Sequence, residues 1–403
     1  MATAVFTRRS NPARHVVVLE GARQPGAKIL VSGGTRCNVT NAVVSERDFW
    51  GGPRTIVRRV LRSFTVDETI AFFREIGVPL HEEPDGKLFP DSNRSRDVLG
   101  ALLREVEACG AALYAGHCVH SIDRAGRGFV IATPHGAMEA SRVVLATGGQ
   151  SLPKSGSNGA GYGFAERLGH SLVATTPGLV PLTISDDSRF HAQLSGVSHP
   201  AEITVRVDGR VAIRLTGSLL WTHFGISGPL ALDASRHWLR ARIEDRSTAL
   251  FLNVYPGWTF DDLDRHLTVL ARTRPRTSIE NALATGTGEV RGLPGSLVRA
   301  VLGGLALDGD TPLSQLPREA RRLLVRVLAE RPLPVSGSRG YNYAEVTAGG
   351  VALTEIDPST MESRICPGLY LVGEVLDVDG RIGGFNFQWA WSSARAAARG
   401  LTR

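Results

Sequence analysis

The sequence has 403 residues, an apolar fraction of 42% and a formal net charge of +7. A chain of this length usually folds as two or three domains, and its composition supplies ample apolar side chains for a core. A disulfide scaffold is excluded, because the four cysteines are scattered without a CxxC spacing. No apolar run reaches the ~18 residues of a membrane span, and no apolar signal core opens the sequence. We therefore expect a cytoplasmic protein without membrane contact.

The positive charge is carried almost entirely by arginine, since lysine occurs only at positions 28, 87 and 154. One explanation is codon usage in a GC-rich genome, which we favour because acids are interspersed among the arginines. The other is binding of anions or RNA, since guanidinium groups suit planar phosphate recognition. His117, Cys118 and His120 resemble metal ligands in type. Alternation along a strand would point His117 away from the other two, so no metal site is predicted.

Near the start, residues 2–9 are typical of the last turns of a helix, and the apolar run from His15 to Glu20 predicts a buried strand. In a dinucleotide-binding βαβ unit, an acid at the end of the second strand binds a ribose hydroxyl about 20 residues after a glycine-rich loop. Glu20 fits that acid, although a solvent-facing strand end is an alternative. No GxGxxG precedes it. We expect either that the chain begins inside the unit, which we favour, or that it lacks the loop.

A second glycine-containing loop lies between Gly26 and Asn41. Consecutive small residues at Gly33 and Gly34 would expose backbone N–H groups to an anion or a polar ring edge. Arg36 or Lys28 could neutralise its charge.

Periodicity predicts helices over residues 54–76, ending at Gly77, and over 96–109. Residues 81–87 are charged and turn-like, which favours a solvated hairpin over a catalytic cluster. Residues 117–121 and 128–131 are predicted to form a β pair.

The run from Val143 to Gly149 predicts a buried strand that closes on Ala-Thr-Gly-Gly. This is the edge of a parallel sheet at which ligands bind. Gly156 to Gly163 follows as either a flexible turn or a mobile loop over a site, before a helix from Ala165.

From residue 172 the pattern changes to short strands with turns. We predict a first domain from residues 1–171 and 331–403, a β-rich substrate domain at 172–258 and a helical insertion at 259–330. In the β-rich domain, His223 is a candidate substrate-facing acid. A hydrogen bond to the hydroxyl of Thr222 or Ser227 is the favoured alternative.

The C-terminal segment combines a short buried strand at Leu369–Val372, an acid at Glu374, a Gly383-Gly384 turn and a predicted helix from Phe387 to Ala398. Glycines allow close backbone approach, and a helix N-terminus offers free N–H groups. The arrangement suits the phosphates and sugar hydroxyls of a nucleotide.

Taken together, four segments resemble the BaiN/RdsA-like (HI0933-like) family of NAD(P)/FAD-dependent oxidoreductases over nearly the whole chain. They are residues 29–41 (ILVSGGTRCNVTN), 221–229 (WTHFGISGP), 346–351 (VTAGGV) and 373–391 (GEVLDVDG with GFNFQWAW). The resemblance implies an α/β protein with a Rossmann-like, three-layer FAD-binding domain, an inserted β-barrel domain and a small helical subdomain.

By position, the resemblance implies which residues bind the cofactor. Glu20 would bind the adenosine ribose, and the backbone of Val119 the adenine. Thr147 and Gly148 would lie near the pyrophosphate, and Gly373 and Glu374 near the ribitol. The flavin side would be lined by Lys28, Ser32, Gly33, Arg36, Cys37, Asn38, Gly384, Phe385 and Asn386.

Two departures from the family pattern matter. The glycine-rich loop is absent, and Thr35 stands where the family usually has a third glycine. Losing about two charge-assisted hydrogen bonds to pyrophosphate would cost roughly 3–6 kcal/mol, or about 10²–10⁴ in affinity.

The resemblance implies a flavoprotein that transfers a hydride through flavin N5, with NAD(P)H as a possible donor. It implies reduction of a conjugated C=C, or oxidation of a small amine or ketone-like substrate. Ribosomal-RNA dihydrouridine synthesis is the alternative activity, with RNA as a possible partner. A cofactor-free remnant or binding protein is a third hypothesis. No catalytic acid or base is identified.

Overall fold

The computed structural model describes residues 1–185, 190–288 and 290–402. The chain divides into two compact units. Unit 1 comprises Met1–Gly178 and Tyr341–Arg403, and unit 2 comprises Leu179–Gly340. The domain boundaries drawn from composition remain predictions.

The first part of unit 1 alternates helices and short strands. Its helices are α1 (Ala2–Ser10), α2 (Ala27–Thr35), α3 (Arg54–Leu61), α4 (Val66–Glu75), α5 (Ser95–Ala108) and α6 (Ala160–Arg167). Its strands are β1 (Val17–Glu20), β2 (Thr40–Asn41), β3 (Phe49–Gly51), β4 (Leu80–Glu83), β5 (Lys87–Pro90), β6 (Ala112–Ala115), β7 (Ser121–Ala125), β8 (Gly128–Thr133), β9 (Gly136–Ala140), β10 (Val143–Leu145) and β11 (Leu172–Gly178).

Two pairs of parallel strands give unit 1 its α/β character. β1 pairs with β6, with Glu20 opposite Ala115. α1 precedes β1 in the chain. The side chains of β1 alternate between two apolar clusters. Val18 packs on the cluster that contains Phe73, and Leu19 packs on the cluster that contains Leu371. A strand with apolar contacts on both faces is typical of a parallel sheet covered on both sides.

Unit 2 is built on strands β12 (Leu182–Ile184), β13 (Ser198–Val207), β14 (Arg210–Thr222), β15 (Gly225–Ser227), β16 (Thr248–Asn253), β17 (Gly286–Thr287), β18 (Val290–Arg291), β19 (Arg331–Leu333) and β20 (Val335–Ser338). Its helices are α7 (Phe190–Gln193), α8 (Gly228–Ile243), α9 (Phe260–Thr273), α10 (Ile279–Thr285), α11 (Gly295–Gly304) and α12 (Arg318–Ala329). α9 to α12 lie within residues 259–330, where the sequence predicts a helical insertion.

Seven antiparallel strands of unit 2 form one sheet in the order β19-β16-β13-β14-β15-β12-β20. Its two edge strands, β19 and β20, are consecutive in the chain and are separated only by Pro334. The sheet therefore curls until its two edges meet at that proline, as in a barrel. This agrees with the β-barrel implied by the family resemblance.

The chain then returns to unit 1 with β21 (Val346–Val351), β22 (Leu369–Leu371), β23 (Val378–Gly380) and α13 (Phe385–Leu401). β22 pairs in parallel with β10, and β23 pairs antiparallel with β3. α13 is longer than the helix predicted over 387–398, because apolar positions continue to Leu401 and both ends of the helix pack in the core. The predicted helices over 54–76 and 96–109 and the predicted hairpin at 81–87 are confirmed.

Two local predictions were wrong. Residues 117–120 do not form a strand, because β6 ends at Ala115 and the hairpin partner of β8 begins only at Ser121. His117 N donates instead to Glu20 O (2.9 Å). The strand ending at Glu20 is half-exposed rather than buried. Within the described residues, no helix is both long enough and apolar enough to cross a bilayer.

Candidate functional site

The carboxyl ends of β10 and β22 lie side by side in unit 1. The parallel register places Leu145 opposite Leu371, so both strands stop at the same edge. The chain then turns at Gly148 (φ 71°) and at Gly373 (φ 73°), conformations that favour glycine. Ligands of open α/β sheets bind at such an edge. The structure thus brings together two of the predicted cofactor segments.

Glu374, which follows β22, anchors a polar network at this edge. Lys28 Nζ lies 2.5 Å from Glu374 Oε2 and 2.7 Å from Ser151 Oγ. Glu374 Oε1 accepts hydrogen bonds from Ser151 Oγ and from Thr347 N, each at 2.9 Å. The side chains of Lys28 and Glu374 are 28% and 18% exposed, so the ion pair is only partly screened by water. Two predicted site residues 346 positions apart are therefore in direct contact.

Ser151 and Thr347 were not assigned a role from the sequence. Ser151 is fully buried, and Thr347 Oγ1 accepts hydrogen bonds from the backbone N–H groups of Gln150 (2.7 Å) and Ser151 (3.1 Å). Thr347 opens the Thr-Ala-Gly-Gly motif, and Ser151 follows the Gly-Gly that ends the β10 segment. Their positions beside glycine pairs are the only sequence signal that would have indicated them.

The predicted adenosine end of the site lies at β1. Glu20 is the last residue of this strand, and its Oε1 accepts from Ala22 N (2.9 Å). The segment with Val119 runs alongside, held by the hydrogen bond from His117 N to Glu20 O. The structure therefore places Glu20 and the backbone near Val119 next to each other.

The loop that ends α2 has an unusual backbone. Gly33, Gly34, Thr35 and Cys37 all have positive φ, between 55° and 71°. Ser32 leaves the helical conformation as well, and its hydroxyl donates to Ile29 O (2.8 Å). Successive residues of this kind turn backbone N–H groups towards one side and can form an anion-binding concavity. Thr35 adopts the left-handed conformation that the family's usual glycine would adopt without strain.

Two side chains of this loop are engaged by other residues of the protein. Cys37 is completely buried in the apolar cluster with Phe73, and burial raises the pKa of its thiol to about 12. Because the core encloses this thiol, only the backbone of Cys37 can reach a ligand. Arg36 is held by Glu83 (2.6 Å) and lies over the ring of Phe89 (4.0 Å from the centroid).

Asn38 joins this loop to the start of α13. With its amide oriented to satisfy its neighbours, the nitrogen donates to Thr40 O (2.8 Å) and Leu88 O (3.2 Å). Its oxygen accepts from Gly384 N (3.2 Å). Asn38 is buried, and a Cβ at Gly384 would lie 2.4 Å from the Thr40 backbone. The loop and the helix start therefore touch through backbone atoms.

The first residues of α13 use their side chains for structure. Phe385 is 3% exposed and packs against Phe49. Asn386 forms two hydrogen bonds with Gly380, accepting from its N (2.8 Å) and donating to its O (2.9 Å). Because these side chains are occupied, the first turn of α13 can contact a ligand only through its backbone N–H groups.

Near Gly148 and Glu374, buried hydroxyls lack hydrogen-bond partners. Ser157 Oγ has none among the described residues, and it lies where a Cβ at Gly148 would approach it to 2.7 Å. The Tyr162 hydroxyl, on α6, is likewise buried, and its interaction with the Thr347 side chain falls short of hydrogen-bond geometry. Burial first, and then the nearby Glu374 carboxylate, raise the pKa of Tyr162. Such unused donors are unusual in a folded core and are candidate ligand contacts.

Outside this site, the described residues contain no group of three or more His, Cys, Asp or Glu side chains suited to a metal ion. The predicted hydrogen bond of His223 to Thr222 or Ser227 is not formed among the described residues, and Thr222 Oγ1 is buried without a partner. His223 itself is exposed, with its ring against Phe224.

Comparison with known proteins identifies related sequences along the whole chain. The family model described as the HI0933-like protein Rossmann domain matches residues 1–400. The ribosomal RNA dihydrouridine synthase of Escherichia coli is 34% identical over 389 residues, which cover 96% of this chain and 92% of the relative. The 3-dehydro-bile acid delta(4,6)-reductase of Clostridium scindens is 31% identical over 396 residues, covering 98% and 95%.

A solved structure shares the fold. A variant of the E. coli quinol fumarate reductase FrdA matches all of this chain and 67% of its own length, with a TM-score of 0.50 and 15% sequence identity. At this identity the likeness concerns the fold alone. The predicted Rossmann-type fold and the predicted family are both confirmed, and the chain belongs to the HI0933-like family of Rossmann-domain proteins.

Proposed function

We propose that this protein is an FAD-dependent oxidoreductase that reduces a C=C bond conjugated to a carbonyl group, with NAD(P)H as the hydride donor. The enzyme class, a flavin-dependent oxidoreductase, follows from the family. Two relatives are named as a bile acid delta(4,6)-reductase and a dihydrouridine synthase, and both names describe reduction of a C=C bond. This shared chemistry supports the proposed reaction type.

The observation that carries the proposal is the Lys28–Glu374 contact. It joins the loop segment after Gly26 to the carboxyl end of β22, two segments that the sequence assigned independently to one cofactor. If the two glycine-containing segments were unrelated, there would be no reason for Lys28 of one segment to form an ion pair with Glu374 of the other.

The residues present fit FAD in three respects. Backbone N–H groups are available at the left-handed loop ending α2 and at the first turn of α13. The Ser157 hydroxyl beside Gly148 is buried and unpartnered, as expected for a donor to a phosphate oxygen. Glu20 closes β1 with one carboxylate oxygen bonded to Ala22 N, which leaves the other for a ribose hydroxyl.

Bound FAD would supply hydride transfer, the chemistry that protein side chains lack. The chain's own residues would bind and orient it. Lys28 would place a positive charge at the sheet edge, and Glu374 would fix Lys28 there through the 2.5 Å contact. Tyr162 would be a hydrogen-bond donor, since its phenol is protonated at neutral pH and burial raises its pKa further.

The test is purification followed by visible absorbance, before and after addition of FAD. We expect flavin absorbance that survives gel filtration, and oxidation of NAD(P)H in the presence of a conjugated enone. Absence of bound flavin even with excess FAD would contradict the proposal and support the cofactor-free hypothesis. A Ser157→Ala variant should lower FAD affinity, whereas Ser359→Ala, a serine whose hydroxyl bonds Asp357, should not.

A second candidate is reduction of uracil in ribosomal RNA. The relative with 34% identity is named for that activity, and the net charge of +7 is compatible with it. If several arginines contact phosphates, affinity for an rRNA fragment should fall steeply as salt rises. Binding that is absent or insensitive to salt would exclude this candidate.

A further inference from the structure

A cleft of about 290 Å³ lies in unit 1 between α3 and the start of α4. Its floor is apolar, with Val44, Leu61 and Val66, and its polar lining includes Arg58, Arg62 and Gln388. Small-molecule sites usually occupy roughly 300–1,000 Å³ and combine an apolar floor with a few polar groups. The cleft therefore has room for about one ring system.

The charge of the cleft is positive. Arg58 is paired with Glu46 (2.7 Å), and this ion pair lowers the pKa of Glu46. Arg62 lies one helical turn further and has no acidic partner among the described residues. Two guanidinium groups thus face one carboxylate, which leaves about one positive charge beside an apolar floor. The adjoining first turn of α4 carries Asp67 and Glu68, and Thr65 and Glu68 cap its N–H groups, so the positive charge of the lining comes from Arg62.

The cleft is also next to the candidate site. Gln388 lies on α13, and its backbone N–H donates to Gly384 O (3.0 Å), so it is one helical turn, about 5.4 Å, from Gly384. Its side-chain oxygen accepts from Thr40 Oγ1 (2.6 Å), in the segment that meets Gly384. A molecule in the cleft would therefore sit close to the predicted flavin end of the site.

We infer that this cleft binds the anionic group of the substrate, a phosphate or carboxylate carried by an unsaturated ring, with Arg62 as the principal contact. This inference rests on the proposed function, since it takes the ring to extend from the cleft towards the start of α13. A free guanidinium beside an apolar floor recognises an amphipathic anion, because charge-assisted hydrogen bonds are about twice as strong as neutral ones. A neutral analogue of the same shape would lose that contact.

Calorimetric binding to two matched pairs of probes tests the inference. One pair is uridine 5′-monophosphate and uridine, and the other is 3-oxo-4-cholenoic acid and its methyl ester. In at least one pair, the wild-type protein should bind the anion about 10-fold or more tightly than the neutral member, as one charge-assisted hydrogen bond of roughly 1.5–3 kcal/mol requires. The pair that shows this preference identifies the source of the anion.

Three variants assign the preference to the cleft. Arg62→Ala should abolish it, and Arg62→Lys should restore part of it. Arg59→Ala is the matched control, because Arg59 is exposed on the same helix but does not line the cleft, and it should behave as the wild type. No preference for either anion, or a preference that survives in Arg62→Ala, would overturn the inference. Flavin absorbance is recorded on every protein, so that a failure of the cleft is distinguished from a failure of the proposed cofactor.

Discussion

The two ends of the candidate site use their predicted residues in different ways. At the Lys28–Glu374 end, the predicted side chains themselves meet in a partly exposed polar network. At the Asn38–Gly384 end, the predicted side chains are buried, as Cys37 and Phe385 show, or hydrogen-bonded to the backbone, as Asn386 shows. Segments of the same sequence type, glycines mixed with polar residues, can therefore bind a ligand either through side chains or through backbone N–H groups. Substitutions should separate these two uses.

The largest effect is expected at the backbone end. A Cβ at Gly384 (φ 92°) would lie 2.4 Å from the Thr40 carbonyl, so Gly384→Ala should cost about 3 kcal/mol or more in unfolding free energy, through clash and strain together. Gly34→Ala is the control, because Gly34 also has positive φ but faces open space, and it should cost roughly 1 kcal/mol. Urea unfolding of both variants makes the comparison, and equal losses would contradict a tight backbone contact at Gly384.

At the side-chain end, Glu374→Gln should destabilise the protein by about 2 kcal/mol, because it leaves the partly buried Lys28 without its acid. A double-mutant cycle with Lys28→Ala should give a coupling energy of about 1–2 kcal/mol. The exposed pair Arg299–Glu280 serves as the control and should couple by less than about 1 kcal/mol. If Lys28 and Glu374 coupled no more strongly than this surface pair, the network would not organise the site.

The buried thiol gives a pH dependence. Folding raises the pKa of Cys37 to about 12, so the folded state retains a proton that the unfolded state loses above about pH 9. Stability contributed by this group is complete below pH 9 and should be lost at about 1.4 kcal/mol per pH unit as pH rises towards 12. Comparing chemical unfolding of Cys37→Ala and the parent between pH 8 and 10.5 isolates this slope. Parallel curves would show that Cys37 is not buried, as would rapid alkylation of Cys37 alongside the exposed Cys118.

The smallest effect is expected at Thr35, a β-branched residue with φ 71°. Thr35→Gly should stabilise the protein by up to about 1 kcal/mol, since relief of left-handed strain exceeds the entropy that glycine adds to the unfolded chain. Thr35→Ala keeps the Cβ and should not stabilise it to the same degree. A shift in thermal midpoint measures both. Destabilisation by glycine would mean that the Thr35 side chain makes a contact of its own.

Much of the fold was predictable because it depends on local periodicity. Apolar spacing located α3 to α5, and Pro-Gly and Gly-Gly signals bounded β22 and α13. Prediction failed at 117–120, where alternating residues resemble a strand but the pairing partner of β8 starts only at Ser121. A strand is defined by its partner, and the partner is not a local property.

The candidate site was predictable to a similar extent. Glycine-terminated strands identified the segments, and the acids at Glu20 and Glu374 were placed by their position after a strand. Ser151 was missed, and Ser157 and Tyr162 were covered only by the general prediction for the loop from Gly156 to Gly163, because a serine or tyrosine near glycines has no distinctive spacing. Their importance comes from burial, which leaves a hydroxyl either bonded, as in Ser151, or without a hydrogen bond of good geometry, as in Ser157 and Tyr162.

The sequence by itself determined the family, the alternation of helices and strands, and the segments that converge on the site, because each rests on residue type and spacing along the chain. The tertiary structure alone decided which side chains are available. Lys28 and Glu374 meet across 346 positions, Cys37 is enclosed by the core, and β19 and β20 close the barrel on either side of Pro334. These outcomes depend on which distant segments pack together, and burial and charge pairing are set only once they do.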